Sequence, residues 1–427
     1  MADLDLTELH GALTDRALNS MNFLNEVAQH YPNAISLAAG RPAEQFYAVE
    51  DLHSYLDTFC DYLRDELGYD EAAVRRTIFQ YGRTKGIVHQ LVARNLLADE
   101  DITVDPEALV VTVGCQEAMV LALRALRATP ADVLLAVSPA YVGITGAARL
   151  LDLAVLPVAG GNGGVDFDDL VAVIKTARAD GLRPRACYVM PDFANPSGLS
   201  LDLDTRQRLL DVAAEQDLLL LEDNPYGLFP AEGIERLPTL KALDTERRVI
   251  YLGSFAKTAL PGARVGYVVA DQVVAHPDGT TSLLADELSK IKSMLTVNTS
   301  AIGQAMIGGK LLQHDCSLVA ANERERATYA ENLRALTEGL AARFPGGEVS
   351  WNVPSGGFFL VVTVPFVVDD ALLAKSAQEY GVLWTPMSHF YDGDTPIHAL
   401  RLSCSSVTPA EIEPALDRLA ALIRDQL

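Results

Sequence analysis

From about residue 108 to 270 the chain alternates short β-branched apolar runs with longer stretches whose apolar residues recur every three or four positions. Short apolar runs bounded by turn residues predict strands, and here they fall at 108–113, 133–137, 154–157, 186–190, 218–222, 249–252 and 265–270. Strands alternating with helical patterns build βαβ units, and runs apolar on both faces need cover on both sides. The expected fold class is α/β, with a large domain holding a mostly parallel seven-stranded sheet covered by helices.

Beyond this region the periodicity changes. Residues 323–344 carry apolar side chains at helical spacing with charges between them, as expected of a helix bridging two domains. Strands at 356–364, 382–385 and 397–403, closed by a helix over 409–427, predict a smaller α+β domain. The first forty or so residues have no core of their own and are expected to pack on that small domain or on a partner subunit. The resulting division is an N-terminal arm with part of the small domain (1–45), a large domain (46–315) and a C-terminal small domain (316–427).

Composition narrows the function. A net charge of −23 over 427 residues repels phosphate backbones, so nucleic acid is not an expected partner. No apolar stretch reaches the roughly twenty residues a spanning helix needs, and the start Met1-Ala2-Asp3-Leu4-Asp5 has neither the basic nor the apolar part of a signal peptide. A cytoplasmic protein without a membrane partner is expected. Cys60, Cys115, Cys187, Cys316 and Cys404 form no CxxC pair, and the eight histidines are spread singly, so neither disulfides nor a metal site is expected.

Candidate chemistry gathers where strands end. Lys257 follows the strand 249–252 in a small-residue turn with Ser254, Phe255 and Ala256, and Arg264 comes one short loop later. Taken alone, such a lysine reads as a solvated surface charge. Two other polar turns, Asn195-Pro196-Ser197-Gly198 and Asp223-Asn224-Pro225-Tyr226, also follow predicted strands. In open α/β sheets ligands bind at the carboxyl ends of strands, so the three turns converge on one crevice. Gly114, Cys115 and Gln116 open a helix (117–127) straight after a strand, where exposed backbone N–H groups bind anions. Arg401 lies in an apolar strand, Ala399-Leu400-Arg401-Leu402, and must meet a carboxylate, whether of a substrate or of a buried acid.

Together Tyr81 and Gly82, residues 114–116, Tyr141, 195–198, 223–226, 254–257, Arg264 and Arg401 resemble, in order and spacing, the fold-type I pyridoxal phosphate enzymes, and within them the class I/II aminotransferases. The likeness covers nearly the whole chain. It implies pyridoxal 5'-phosphate as cofactor, with Lys257 holding it as a Schiff base and later carrying the proton of the substrate α-carbon. Asp223 would face the pyridine nitrogen, and Asn195 and Tyr226 the ring 3'-oxygen, although Tyr226 also reads as a core tyrosine. The 114–116 turn, Ser254 and Arg264 would bind the phosphate, and Tyr141 would stack on the ring or serve as a plain core aromatic. Cys115 departs from the family pattern, where serine or alanine is commoner.

The same resemblance gives Arg401 the substrate α-carboxylate, with Asn195 beside it, and makes Gly40 a wall of the substrate pocket. Arg41 would steer a second acidic group or be solvated. Tyr81 would reach the phosphate of a neighbouring subunit, which implies a homodimer with shared active sites. Asn298 and Thr299 would cross that interface or cap the following helix.

The implied reaction is ping-pong transamination between an amino acid and a 2-oxo acid. The same residues also suit elimination, decarboxylation or condensation. A bacterial regulator with an aminotransferase-like sensor needs an N-terminal DNA-binding module, and the acidic segment before Gly114, which holds Tyr81 and the small-domain arm, leaves no room for one. Residues 20–26 and 79–86 look similar to aminotransferases of antibiotic biosynthesis that make arylglycines such as hydroxy- or dihydroxyphenylglycine. Ordinary aromatic, 2-aminoadipate, branched-chain and guanidino amino acids are the competing substrates. Phe23, Phe358, Phe359, Trp384, His389, Phe390 and Tyr391 are candidate pocket walls or core residues.

Overall fold

The computed structural model describes residues 3–161, 163–393 and 395–427. Met1 and Ala2, part of the start read for a signal peptide, lie outside the described residues, as do the side chains of Leu24 and Asn25. The chain enters through helix α1 (Arg16–His30). All seven apolar runs of the large region then form one sheet. Its strands are β1 (Leu109–Thr112), β2 (Asp132–Ser138), β3 (Ala154–Ala159), β4 (Arg183–Val189), β5 (Leu219–Asp223), β6 (Val249–Ser254) and β7 (Gly266–Val269), in the order β1-β7-β6-β5-β4-β2-β3.

Only β7 runs against its neighbours, being antiparallel to both β1 and β6. Two reversals restore direction, so β1 points the same way as β6 and its carboxyl end reaches the same edge. Helix α2 (Gly114–Leu126) begins there. Both faces of the sheet are covered, which is why its strands are apolar almost throughout. One face, with Val110, Tyr188, Leu221 and Leu252, packs on Ala118, Leu121 and Ala122 of α2. The other carries Leu135, Cys187 and Leu220 against Ile174 and Leu209 of the helices Phe167–Ala179 and Leu203–Glu215. Leu109, Val110 and Val111 of β1 are wholly buried. Each such side chain contributes about 1.5–3 kcal/mol of burial.

Helix α3 (Leu284–Leu295) packs behind α2, and the amphipathic segment at 323–344 is helix α4 (Glu323–Arg343). A second, antiparallel sheet follows, made of β8 (Ser350–Trp351), β9 (Phe359–Thr363), β10 (Thr385–Pro386) and β11 (Ala399–Ser403) in the order β8-β9-β11-β10. Helix α5 (Pro409–Gln426) closes the chain against α4.

Several expected boundaries move. The strand expected at 382–385 divides at Trp384, whose buried indole N–H donates to Ser376 Oγ. Val382–Leu383 pairs in parallel with Ile35–Ser36, and Thr385–Pro386 pairs with β11. The run from 356 becomes a strand only at Phe359, because Gly357 takes a left-handed φ of +76°. The helix expected at 117–127 starts at Gly114, in the first turn after β1. The pairing of Ile35–Ser36 lays the N-terminal arm beside the small sheet and carries residues 38–40 to the edge of the large one.

Candidate active site

A cavity of about 220 Å³ opens at the carboxyl edge of the large sheet, under the N-terminal arm and the small sheet. Apart from Gly114 and Tyr81, every residue expected to bind cofactor or substrate lines it: Gly40, Cys115, Gln116, Tyr141, Asn195, Asp223, Tyr226, Ser254, Lys257, Arg264 and Arg401. A larger recess of about 600 Å³ shares Tyr141, Met190 and Asn195 with it, but holds neither Lys257 nor Arg401.

Lys257 stands in the turn after β6. Its ammonium donates to the Gly40 carbonyl oxygen over 2.7 Å and lies 5.9 Å from the centre of the Tyr226 ring. Burial, then the charges of Arg264 and Arg401, pull its pKa down to about 8, with Asp223 opposing them. Gly40 has to be glycine, since a Cβ there would stand 2.3 Å from Cζ of Phe359.

Asp223 ends β5 with 2% of its surface exposed. Its Oδ2 accepts from the Tyr188 hydroxyl at 2.6 Å, and the Cys115 thiol points at Oδ1 from 3.6 Å. Burial raises its pKa to about 6, against the pull of those two donors and of Lys257.

The turn into α2 is built to receive an anion. No side chain caps this helix start, which leaves backbone donors facing the cavity. Gly114 adopts φ +70°, and a Cβ on it would lie 2.4 Å from Nη2 of Arg264. Arg264 itself sits at φ +52° at the end of a short turn, which swings its guanidinium over Gly114. Behind the turn, Glu117 accepts from Val113 N–H at 2.6 Å, from Thr296 Oγ1 at 2.7 Å and from the wholly buried Lys292 at 2.7 Å. Gln116 is held by donating to the Gly143 carbonyl over 2.7 Å.

Arg401, 4% exposed in β11, donates to Asn195 Oδ1 at 2.5 Å, to the Ala38 carbonyl at 2.9 Å and to Thr385 Oγ1 at 3.2 Å. Its guanidinium carbon stacks 4.2 Å from the Phe359 ring and 4.9 Å from that of Phe390. No acid pairs with it among the described residues, and its Nε is buried without a partner. Such a buried, unpaired cation suits an incoming carboxylate, and burial has lowered its pKa to about 10.

This donor set fits pyridoxal phosphate. An uncapped helix start with Arg264 and Ser254 suits the phosphate, a buried carboxylate suits the ring nitrogen, a lysine amine suits the aldehyde, and the Tyr141 ring supplies a flat wall.

Several expected residues stand elsewhere. Tyr81 is 84% exposed on the outer surface. Arg41 is a surface residue 3.7 Å from Glu44. Neither Asn298 nor Thr299 caps the next helix: Ser300 does, while Thr299 is buried and donates to the Val111 carbonyl over 3.0 Å. Phe359 and Phe390 line the cavity, Phe358 and Trp384 are core, Tyr391 lines the larger recess, and Phe23 stacks on His389. Met21, Met119, Met190 and Tyr188 were not anticipated. Of these only Tyr188 carried a signal, a hydroxyl inside an apolar strand that needs a partner.

A model of the family aminotransferase class I and II matches residues 54–419. The (S)-3,5-dihydroxyphenylglycine transaminase of Amycolatopsis orientalis is 58% identical, with 99% of this chain and 95% of the relative covered. The 2-aminoadipate transaminase of Thermus thermophilus is 31% identical over 93% of this chain and 91% of its own length. Among solved structures, the kynurenine aminotransferase of Pyrococcus horikoshii superposes with a TM-score of 0.81 at 27% identity, covering 97% of this chain and 96% of that one. The chain belongs to the class I and II aminotransferase family and is a pyridoxal phosphate-dependent aminotransferase of fold type I.

Proposed function

We propose that this enzyme exchanges the amino group of an arylglycine-type amino acid with a 2-oxo acid by ping-pong transamination, in the secondary metabolism that makes antibiotics. The observation that carries the reading is the 58% identity over nearly the whole chain to a transaminase named for (S)-3,5-dihydroxyphenylglycine. The cavity supports it. An arylglycine bears its ring directly on the α-carbon, so the aromatic wall must lie next to the carboxylate site. Phe359 and Phe390 flank Arg401 in that way, and Met21, Met119 and Met190 add adaptable apolar surface.

The cofactor supplies the electron sink that makes the substrate α-proton acidic. Arg401 grips the α-carboxylate through its planar fork, and Asn195 keeps that fork oriented. Lys257 Nζ is the base that takes the proton from the substrate α-carbon and would release it to the cofactor C4′ within the same half-reaction, the opposite transfer serving the second half. Its lowered pKa leaves much of the amine neutral near pH 8. Asp223 would keep a proton on the ring nitrogen of the bound cofactor, while Tyr226 and Asn195 would donate toward its 3'-oxygen. Ser254, Arg264 and the turn at 114–116 would hold its phosphate.

The same reading makes the working unit a cytoplasmic homodimer. Tyr81 and Met294, both 84% exposed, belong to segments that meet where Gly82 abuts Asn298. On this face Tyr81 reaches the phosphate site of the partner. Residues 46–315 act as the large domain and 316–427 as the small one, with 1–45 as the N-terminal arm and part of the small domain.

The deciding experiment is a panel of amino donors, with 2-oxoglutarate and pyruvate as acceptors, followed by cofactor absorbance in each half-reaction. Arylglycines should react fastest. A clear preference for 2-aminoadipate, branched-chain or ordinary aromatic amino acids would overturn the assignment.

A further inference from the structure

Strand β4 buries a hydroxyl that none of these steps uses. Side chains alternate along a strand, so Ala186, Tyr188 and Met190 share the sheet face that packs on α2, and Leu221 and Asp223 of β5 share it too. Tyr188 pairs in register with Leu221, two residues before Asp223. The phenol therefore reaches along the sheet to Oδ2, at 2.6 Å. On the other side Cys115, in the first turn of α2, aims its thiol at Oδ1.

We propose that Tyr188 and Cys115 are positioning residues that decide where the proton between Asp223 and the cofactor's ring nitrogen resides, and so set the strength of the electron sink. The inference rests on the assignment of Asp223 to that nitrogen made above. A buried carboxylate tends to take up a proton and become neutral, and if it took the one on the nitrogen, the ring would lose its positive charge. Each donor to Asp223 stabilises the ionised carboxylate and leaves the proton on the ring. At 2.6 Å the phenol bond falls in the range of charge-assisted hydrogen bonds, whereas a thiol is a weak donor, so Tyr188 is the stronger of the two.

Both donors keep their protons, because burial and the nearby Asp223 hold the phenol and the thiol well above their ordinary pKa values. They contribute dipoles rather than charge. The other ionisable groups around the carboxylate are Lys257, from the turn after β6, Tyr141, from the turn after β2, Tyr226, from the turn after β5, and Arg264, before β7. Two fixed donors also hold the carboxylate in one orientation, which leaves its remaining lone pairs to meet the nitrogen.

The test is a pH titration of the visible band of the bound cofactor in wild type, Tyr188→Phe, Cys115→Ala, Cys115→Ser and Asp223→Asn holoenzymes. Loss of the ring charge makes the nitrogen linked to Lys257 keep its proton to higher pH. Tyr188→Phe should raise the midpoint by about one pH unit, roughly the worth of one hydrogen bond to an ionised group. Cys115→Ala should move it the same way by less, and Cys115→Ser should bring it back to the wild-type value or below. Reconstituting Tyr188→Phe with a cofactor analogue methylated on the ring nitrogen fixes the charge and should abolish the shift, which repair of a folding defect would not do. If Asp223→Asn moves the midpoint and the Tyr188 and Cys115 variants do not, this inference fails alone. A shift that survives with the methylated analogue overturns it as well. If Asp223→Asn leaves the midpoint in place, the assignment of Asp223 itself falls.

Discussion

Arg401 donates to the side-chain oxygen of Asn195 across 2.5 Å, joining an inner strand of the small sheet to the loop that leaves β4. The guanidinium is thereby aimed before any substrate arrives, and its partnerless Nε marks capacity still unused. Arg401→Leu should raise KM for every α-amino acid by about 10²-fold, the scale of a lost bidentate charge-assisted pair. Arg401→Lys should not rescue it, because an ammonium cannot reproduce the planar fork. Steady-state kinetics across the donor panel checks both, and a loss confined to one donor would place the arginine on the side chain instead.

Only a neutral amine can attack the cofactor aldehyde. Because Lys257 is held near a pKa of 8, uptake of pyridoxal phosphate by the apoenzyme should speed up as pH rises through about 8 and then level off. An ordinary lysine would keep gaining to about pH 10.4. Stopped-flow absorbance gives the midpoint, and Lys257→Ala should bind the cofactor without a covalent link, as mass spectrometry after borohydride reduction would show.

Gly40→Ala forces a methyl group to within 2.3 Å of the Phe359 ring. Overpacking of this kind costs about 1–3 kcal/mol. The greater loss should be in turnover, since relief of the clash shifts the carbonyl that accepts from Lys257. Melting temperature and kcat measured together separate the two effects.

Lys292→Met leaves Glu117 as an uncompensated charge behind the anion-binding turn. Breaking a buried pair from one side costs about 3–5 kcal/mol. Denaturant unfolding should register that loss. Equilibrium dialysis should find weaker cofactor retention, because Glu117 also fixes the Val113 N–H at the start of the turn.

All seven strands of the large sheet, and the placing of Lys257 and Asp223 at one edge, were legible because they depend on local periodicity and on turns that end strands. What local pattern could not convey was contact between distant segments. The Ala38 carbonyl meets Arg401 across 363 positions, and the clash that makes Gly40 a glycine comes from Phe359. The Tyr188 hydroxyl called for a partner without indicating which, since its acceptor is 35 residues further on. The apolar run 382–385 gave no sign of dividing, because Trp384 turns the chain from one strand partner to another through a buried bond to Ser376.

The backbone at 38–40 takes Arg401 on the carbonyl of Ala38 and Lys257 on that of Gly40. One short stretch of main chain thus sets the spacing between the two cations. It does so with atoms that no side-chain substitution removes. Alanine substitutions elsewhere in the arm would leave both acceptors in place and pass over their role, whereas a chain shortened to start after Gly40 would keep Lys257 and Arg401 and lose the distance between them.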